Sequence, residues 1–390
     1  MMKKSALLTI ASTATLLLSC QKDHQHSYDM SYTKLAPLLE QQKPLESSPS
    51  LTYETKPIRA IDIHQHPGSF DDLGPLGKKF VLGTIKANWI PDAVKSVLLR
   101  AASKQMLSPY GFGIGIKSEC QRAGLIACGL FAVHAPEAWG IVSNEKIIAA
   151  LDDRRNISAD GQEPYFYGFA TINMEKWRSE EALQAQHLRE VLSHPQMVAI
   201  KLAFVHNNIP LSDTAFDSIY QIAADTSKPV YHHIGSSPLR KMASFDKEAG
   251  RKRYLKSYDP MELERVIKEY PDTNFILGHM GFDFADDGYD FMEACYRLAE
   301  DYDNVYLEMS SFGRNSHDGK GKLLEAVLGE VKDRGLVEKL IYGSDGPSYP
   351  GATKQYLEKT MAAFLANGYT FEEVEAVLYS NFATLSGIIR

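Results

Sequence analysis

A chain of 390 residues with 44% hydrophobic composition is long enough for one large domain, and a net charge of -7, from 42 basic against 49 acidic residues, argues against a nucleic-acid partner. The cysteines, Cys20, Cys120, Cys128 and Cys295, lack the paired spacing of a zinc ribbon or a disulfide-framed small domain.

Met1-Met-Lys-Lys and the apolar stretch from Ala6 to Leu18 form a bacterial secretion signal over residues 1–19, too short for a stable membrane anchor. Leu17-Leu-Ser-Cys20 resembles the lipobox of bacterial lipoproteins. That resemblance implies cleavage before Cys20, its diacylation, and attachment to the cell envelope through lipid alone. Residues 20–57 are polar and interrupted by Pro37, Pro44, Pro49 and Pro57, which predicts a flexible tether. His24 and His26 lie in it and read as solvated. Residues 58–390 carry the folded domain.

Within that domain, short apolar strands are predicted at Ala60 to His66, Ala127 to His134, Tyr165 to Ile172, Met197 to Phe204, Pro229 to His233, Asn274 to His279, Val305 to Ser310 and Leu340 to Asp345. Helical period follows most of them: Glu180 to Leu192, Asp213 to Asp225, Pro260 to Tyr270, Asp290 to Tyr302, Lys322 to Arg334 and Thr353 to Ala366. Eight apolar strands alternating with helices predict a parallel sheet closed into a (β/α)8 TIM barrel. The long interval between His66 and Ala127, with several glycines and two predicted helices, is expected to cover the barrel mouth. A Cys120–Cys128 bridge is compatible with an oxidising compartment.

The chemistry gathers at strand ends. His64 and His66 share one face of the first strand, where side chains two residues apart stand about 6.6 Å from each other. His232-His233, His279 and Asp345 each close a later strand. Imidazoles and a carboxylate at four strand-to-loop boundaries are the donor set of a catalytic metal site. Strand parity lets only one of His232 and His233 face inward. Arg240, a few residues beyond, is a candidate for contact with an anionic group, and the other basic residues of that loop read as solvated.

Ile61-Asp-Ile-His-Gln-His66, His194-Pro195 before Val198-Ala-Ile-Lys-Leu202, Lys228-Pro-Val-Tyr-His-His-Ile-Gly235, Asn274-Phe-Ile-Leu-Gly-His-Met-Gly281, Asn304-Val-Tyr-Leu-Glu-Met-Ser310 and Tyr342-Gly-Ser-Asp-Gly-Pro347 together resemble the amidohydrolase superfamily, in its family 2 branch. The resemblance implies one divalent ion, commonly zinc, held by His64, His66, His233 and Asp345. Manganese and iron suit the same donors. It also places His279 beside the ion and puts His232 on the opposite strand face. Lys201 falls where some superfamily members use a carboxylated lysine to bridge two metals. Family 2 sequences often have Lys-Leu here without a second metal, so Lys201 reads as a structural or substrate-side ammonium.

A divalent ion makes bound water acidic near neutrality. Asp345 can then serve as general base and acid, and His279 as donor to a developing oxyanion. These roles describe hydrolysis of an amide, ester or lactone. Decarboxylation of an unsaturated or aromatic acid is the alternative, favoured if Arg240 or Arg314 enters the site. A non-catalytic surface binding protein is the third reading. His134, Trp139, His206 and Arg314 are candidates for substrate contact, and Glu308 and Ser310 share a strand face that approaches the site.

Overall fold

The computed structural model describes residues 50–388 apart from 86, 88 and 160. The signal peptide, Cys20 and most of the tether fall outside the described residues. The tether's last stretch is folded: Thr52–Tyr53 and Lys56–Pro57 pair as an antiparallel hairpin. Tyr53 is buried there and its hydroxyl donates to the Tyr369 carbonyl (2.7 Å), so an aromatic anchor ends the tether before Pro57.

Eight parallel strands form one sheet: β1 (Ile61–Gln65), β2 (Ala127–Phe131), β3 (Phe166–Ala170), β4 (Met197–Leu202), β5 (Val230–Gly235), β6 (Phe275–Phe282), β7 (Val305–Glu308) and β8 (Leu340–Ile341). Each pairs with its sequence neighbours. The two ends meet where Ile63 N–H donates to the Tyr342 carbonyl (3.3 Å), His66 N–H to Gly346 (2.8 Å) and Gly346 N–H to His64 (3.1 Å). That seam makes the sheet a TIM barrel, with helices on its outside.

Strand alternation divides the core in two. Ala127 and Phe131 of β2 pack inside the barrel with Ile61, Ile63, Phe169, Tyr231 and Ile276, while Cys128 and Leu130 face the helices. All eight predicted strands form, and two end three or four residues short of their predicted bounds. Strand two stops at Phe131, and Val133–Ala135 instead pairs with Gly140–Val142 in a separate hairpin. Strand eight has only two residues, because Tyr342 to Asp345 turns to reach the end of β1. The six predicted helices also form, two of them opening with a 3-10 turn at Thr214–Phe216 and Pro260–Leu263.

The excursion after β1 contains three helices, Pro75–Thr84, Asp92–Met106 and Ile116–Arg122, one more than its pattern predicts. The first packs on the Val133–Val142 hairpin, with Leu76 and Gly77 N–H donating to the carbonyls of Glu137 and Ala138 (both 3.1 Å) and Phe80 edge-on to Trp139. Cys120, Cys128 and Cys295 are buried free thiols.

Candidate active site

The polar residues at the C-terminal mouth are aimed by departures from regular strand geometry. On β1, Asp62 lies opposite Cys128 and Gln65 opposite Leu130, so three steps of β1 match two of β2. This bulge leaves both Ile63 and His64 facing inward and returns Gln65 to the outer face. Asp62 braces the turn: Oδ1 accepts from the N–H groups of His64 and Ser344 (both 3.0 Å), and Oδ2 from the Gln65 amide (2.5 Å) and the Ser344 hydroxyl (2.6 Å). One buried carboxylate thereby ties the first strand to the last.

On β6, Ile276 packs inside and Leu277 outside, so alternation alone would send residue 279 toward the helices. A φ of 65° at His279 turns the imidazole inward instead, and Asp345 has a φ of 53°. Non-glycine residues in this region cost about 1–3 kcal/mol each and persist where packing over-determines them.

Three donor atoms converge. His64 Nε2 lies 3.0 Å from His66 Nε2 and 3.5 Å from Asp345 Oδ1, and His66 Nε2 lies 3.1 Å from the same oxygen. Donors about 2.1 Å from one tetrahedral centre stand about 3.4 Å apart, so the triangle fits a single divalent ion. His233 stands further round the mouth, with Nδ1 3.1 Å from His279 Nε2 and Nε2 buried without a partner among the described residues. An orphaned imidazole nitrogen at this place also fits a ligand. A second grouping of His64, His279 and Glu308 lies deeper in the barrel.

Burial holds the imidazoles of His64 and His233 well below their usual range, which keeps them neutral, the form that can bind a metal. For Asp345, burial pushes the carboxyl up, but Arg314, His64 and His66 outweigh it and hold the group well below the usual carboxylate range. Arg314 Nη1 donates to Asp345 Oδ2 (2.9 Å) and Nη2 to the Asp345 carbonyl (2.6 Å), leaving Oδ1 for the imidazoles. Lys201 is 2% exposed, with Nζ 3.9 Å from the Tyr231 ring centroid and 4.8 Å from that of Phe131. Burial pushes its ammonium down to about 7, against the pull of Asp345 and Glu308.

The remaining candidates divide. His279 has protein partners at both ring nitrogens: Nδ1 faces the hydroxyls of Ser310 (2.8 Å) and Ser311 (3.1 Å), and Nε2 faces His233. Neither ring nitrogen of His279 is therefore free to donate to an oxyanion, which speaks against the donor role expected from the sequence. His232 points outward, with Nε2 3.4 Å from the Tyr220 hydroxyl and its ring against Phe204 and Phe275. Trp139 meets the edge of His206, whose ring stacks edgewise on His233, so the hairpin reaches the site through a row of rings. His134 sits in that hairpin with Nδ1 buried and without a partner among the described residues, while Arg240 is half-buried in the loop after β5. Two residues not singled out from sequence join the site. Tyr231 shares the inner face of β5 with His233, which parity alone implies, and Asp62 is an acid inside an apolar strand, itself a signal of a buried polar role.

The amidohydrolase family profile matches residues 131–385, beginning after β1, so His64 and His66 lie outside the matched stretch. Protein fluG of Emericella nidulans is 32% identical over 128 residues, covering 30% of this chain and 13% of that protein, so only a small part of that relative is spanned. Solved structures of similar fold include an uncharacterised TIM-barrel protein of Bordetella bronchiseptica (TM-score 0.55, 16% identity, 84% of this chain and 98% of that one). A probable 2-pyrone-4,6-dicarboxylic acid hydrolase of Acinetobacter baumannii with citric acid bound is another (0.52, 16%, 85% and 100%). A third is 5-carboxyvanillate decarboxylase of Novosphingobium aromaticivorans, complexed with manganese and 4-hydroxy-3-methoxy-5-nitrobenzoic acid (0.54, 13%, 89% and 100%). With the profile running from the end of β2 to the last helix of the barrel, the chain belongs to the amidohydrolase family.

Proposed function

We propose that the chain is a metal-dependent hydrolase that cleaves an amide, ester or lactone bond in a small anionic molecule, with one divalent ion held by His64, His66, His233 and Asp345. The triangle of His64 Nε2, His66 Nε2 and Asp345 Oδ1, with edges of 3.0 to 3.5 Å, carries this reading. A divalent ion held there, zinc or else manganese or iron, would supply Lewis acidity toward water and a carbonyl. Asp345 Oδ1, the oxygen that Arg314 leaves free, is placed to take a proton from an attacking water and pass it to the leaving group. The Lys201 ammonium, without a carboxylate partner within salt-bridge distance among the described residues, would receive a substrate carboxylate, with Arg240, His134 and Trp139 lining the approach. The acids named for the hydrolase and decarboxylase of similar fold support an anionic substrate.

Decarboxylation is the second reading, and the grip of Arg314 on Asp345 favours it, because a carboxylate so paired is a weaker proton acceptor. Turnover in water labelled with oxygen-18 distinguishes the two. Hydrolysis places one water oxygen in the product acid, whereas decarboxylation releases carbon dioxide, puts a solvent proton on the carbon left behind and adds no water oxygen to the organic product. The lipobox at Cys20 supports attachment to the cell envelope, and Cys20→Ser is expected to move the protein from the membrane to the soluble fraction.

A further inference from the structure

Glu308 ends β7 at the floor of the site, 0% exposed. Four donors converge on it: the Tyr231 hydroxyl (2.8 Å), the Ser310 hydroxyl (2.8 Å) and the backbone N–H of His279 (3.2 Å) at Oε2, and the N–H of Ser310 (3.0 Å) at Oε1. An ionised carboxylate has only acceptor atoms to offer, so both hydroxyl protons are spent on Glu308. Each hydroxyl oxygen can then only accept from the imidazoles beyond it. Those imidazoles are His64, whose Nδ1 lies 3.1 Å from Tyr231 Oη, 3.3 Å from Ser310 Oγ and 3.5 Å from Glu308 Oε1 itself, and His279, whose Nδ1 lies 2.8 Å from Ser310 Oγ and 3.1 Å from Ser311 Oγ, the shorter contact being the one whose hydroxyl proton is already committed.

We infer that Glu308 is a positioning residue that sets the tautomers of three site histidines by proton counting. Donors at Nδ1 leave His64 with a bare Nε2 facing His66 and Asp345, and leave His279 with a bare Nε2 facing His233. His279 Nε2 then accepts the His233 Nδ1 proton, so the His233 lone pair falls on Nε2, the atom that has no partner among the described residues. One carboxylate acting through two hydroxyls thus presents lone pairs on both His64 and His233 to the site. Two glycines make room for it. A methyl group at Gly343 would overlap Glu308 Oε1 and crowd His64 Cβ, and one at Gly278 would overlap the Tyr231 hydroxyl. Neither glycine has a positive φ, so close approach is the reason for both.

The consequence for the metal rests on the reading of His64 and His233 as ligands, whereas the tautomers do not. The test is ring-nitrogen NMR of the histidines in the metal-free chain together with zinc titration, on wild type, Glu308→Gln and Tyr231→Phe. Wild type is expected to carry Nδ1–H on His64 and His279. Glu308→Gln, whose amide can donate to the hydroxyls, is expected to populate Nε2–H at both rings and to weaken zinc binding about 10- to 100-fold, the usual size of a lost supporting hydrogen bond to a ligand. Tyr231→Phe keeps the ring and is expected to shift His64 while leaving His279 as it is, which preserves the test should Glu308→Gln fail to fold. Folded variants with wild-type tautomers and wild-type zinc affinity would overturn the inference, as would Nε2–H rings in a wild type that binds zinc. Nδ1–H rings that respond to Glu308→Gln in a protein that binds no zinc would uphold the tautomer relay and defeat the metal reading alone.

Discussion

His232 and His233 are adjacent on β5, both buried, and they meet opposite environments. Among the described residues each has one ring nitrogen without a partner, His232 at Nδ1 and His233 at Nε2. His232 sits among Phe204, Tyr220 and Phe275 on the helix side, where burial pushes its imidazole down to about 3 and where, among the described residues, it joins no group of metal-ligand side chains. His233 sits inside, beside His279 and His206, at the mouth that also holds His64, His66 and Asp345. Burial and an orphaned nitrogen are therefore common to both faces. What separates a candidate site from a packed layer is convergence of donors, together with the groups that fix where their lone pairs point.

The largest effect that would sharpen the contrast is His64→Ala. Loss of the proposed ion, which would supply several kcal/mol of transition-state stabilisation, is expected to lower kcat/KM by about 1,000-fold or more, read with whichever lactone or amide the wild type turns over. Gly343→Ala comes next. The added methyl must displace Glu308 or His64, and overpacking of this kind costs about 1–3 kcal/mol in urea unfolding. Weakened zinc binding should accompany it, and an unchanged unfolding midpoint would deny the close packing on which the site's support depends.

A smaller effect is expected at Lys201. Its ammonium is charged below about pH 7 and neutral above, so the wild-type KM for an anionic substrate should rise as pH increases through that value. Lys201→Met should give a KM about 10-fold higher at low pH and nearly independent of pH, and a pH-dependent KM in this variant would remove Lys201 from substrate binding. The smallest effect on turnover belongs to His232→Ala, expected to leave kcat/KM near wild type while costing about 2 kcal/mol of stability through the cavity it opens.

Much of this arrangement is legible in the sequence. The eight strands and six helices follow from apolar runs and helical period, and the candidate donors His64, His66, His233, His279 and Asp345 stand at strand ends that can be counted off in order. The means by which they are aimed are not legible. A bulge between Asp62 and Gln65 and the left-handed backbone at His279 and Asp345 override simple alternation, and a period-two pattern carries no trace of either. The supporting shell is hidden for another reason. Tyr231 and Glu308 lie on β5 and β7, which flank β6 without pairing with each other, so their hydrogen bond joins residues 77 positions apart in the chain. The end of strand two is equally hidden, because the apolar run continues through Ala132 and Val133 with no turn signal, and Val133–Ala135 is set apart only by pairing with Gly140–Val142.

If donors on the inner face, and not those on the outer one, hold a single metal ion, elemental analysis of the purified wild type beside His64→Ala, His233→Ala and His232→Ala will reveal it. About one divalent ion per chain is expected in the wild type and in His232→Ala, and loss of the ion in His64→Ala and His233→Ala. Full metal content in His64→Ala, or none in a wild type prepared with metal in excess, would contradict it.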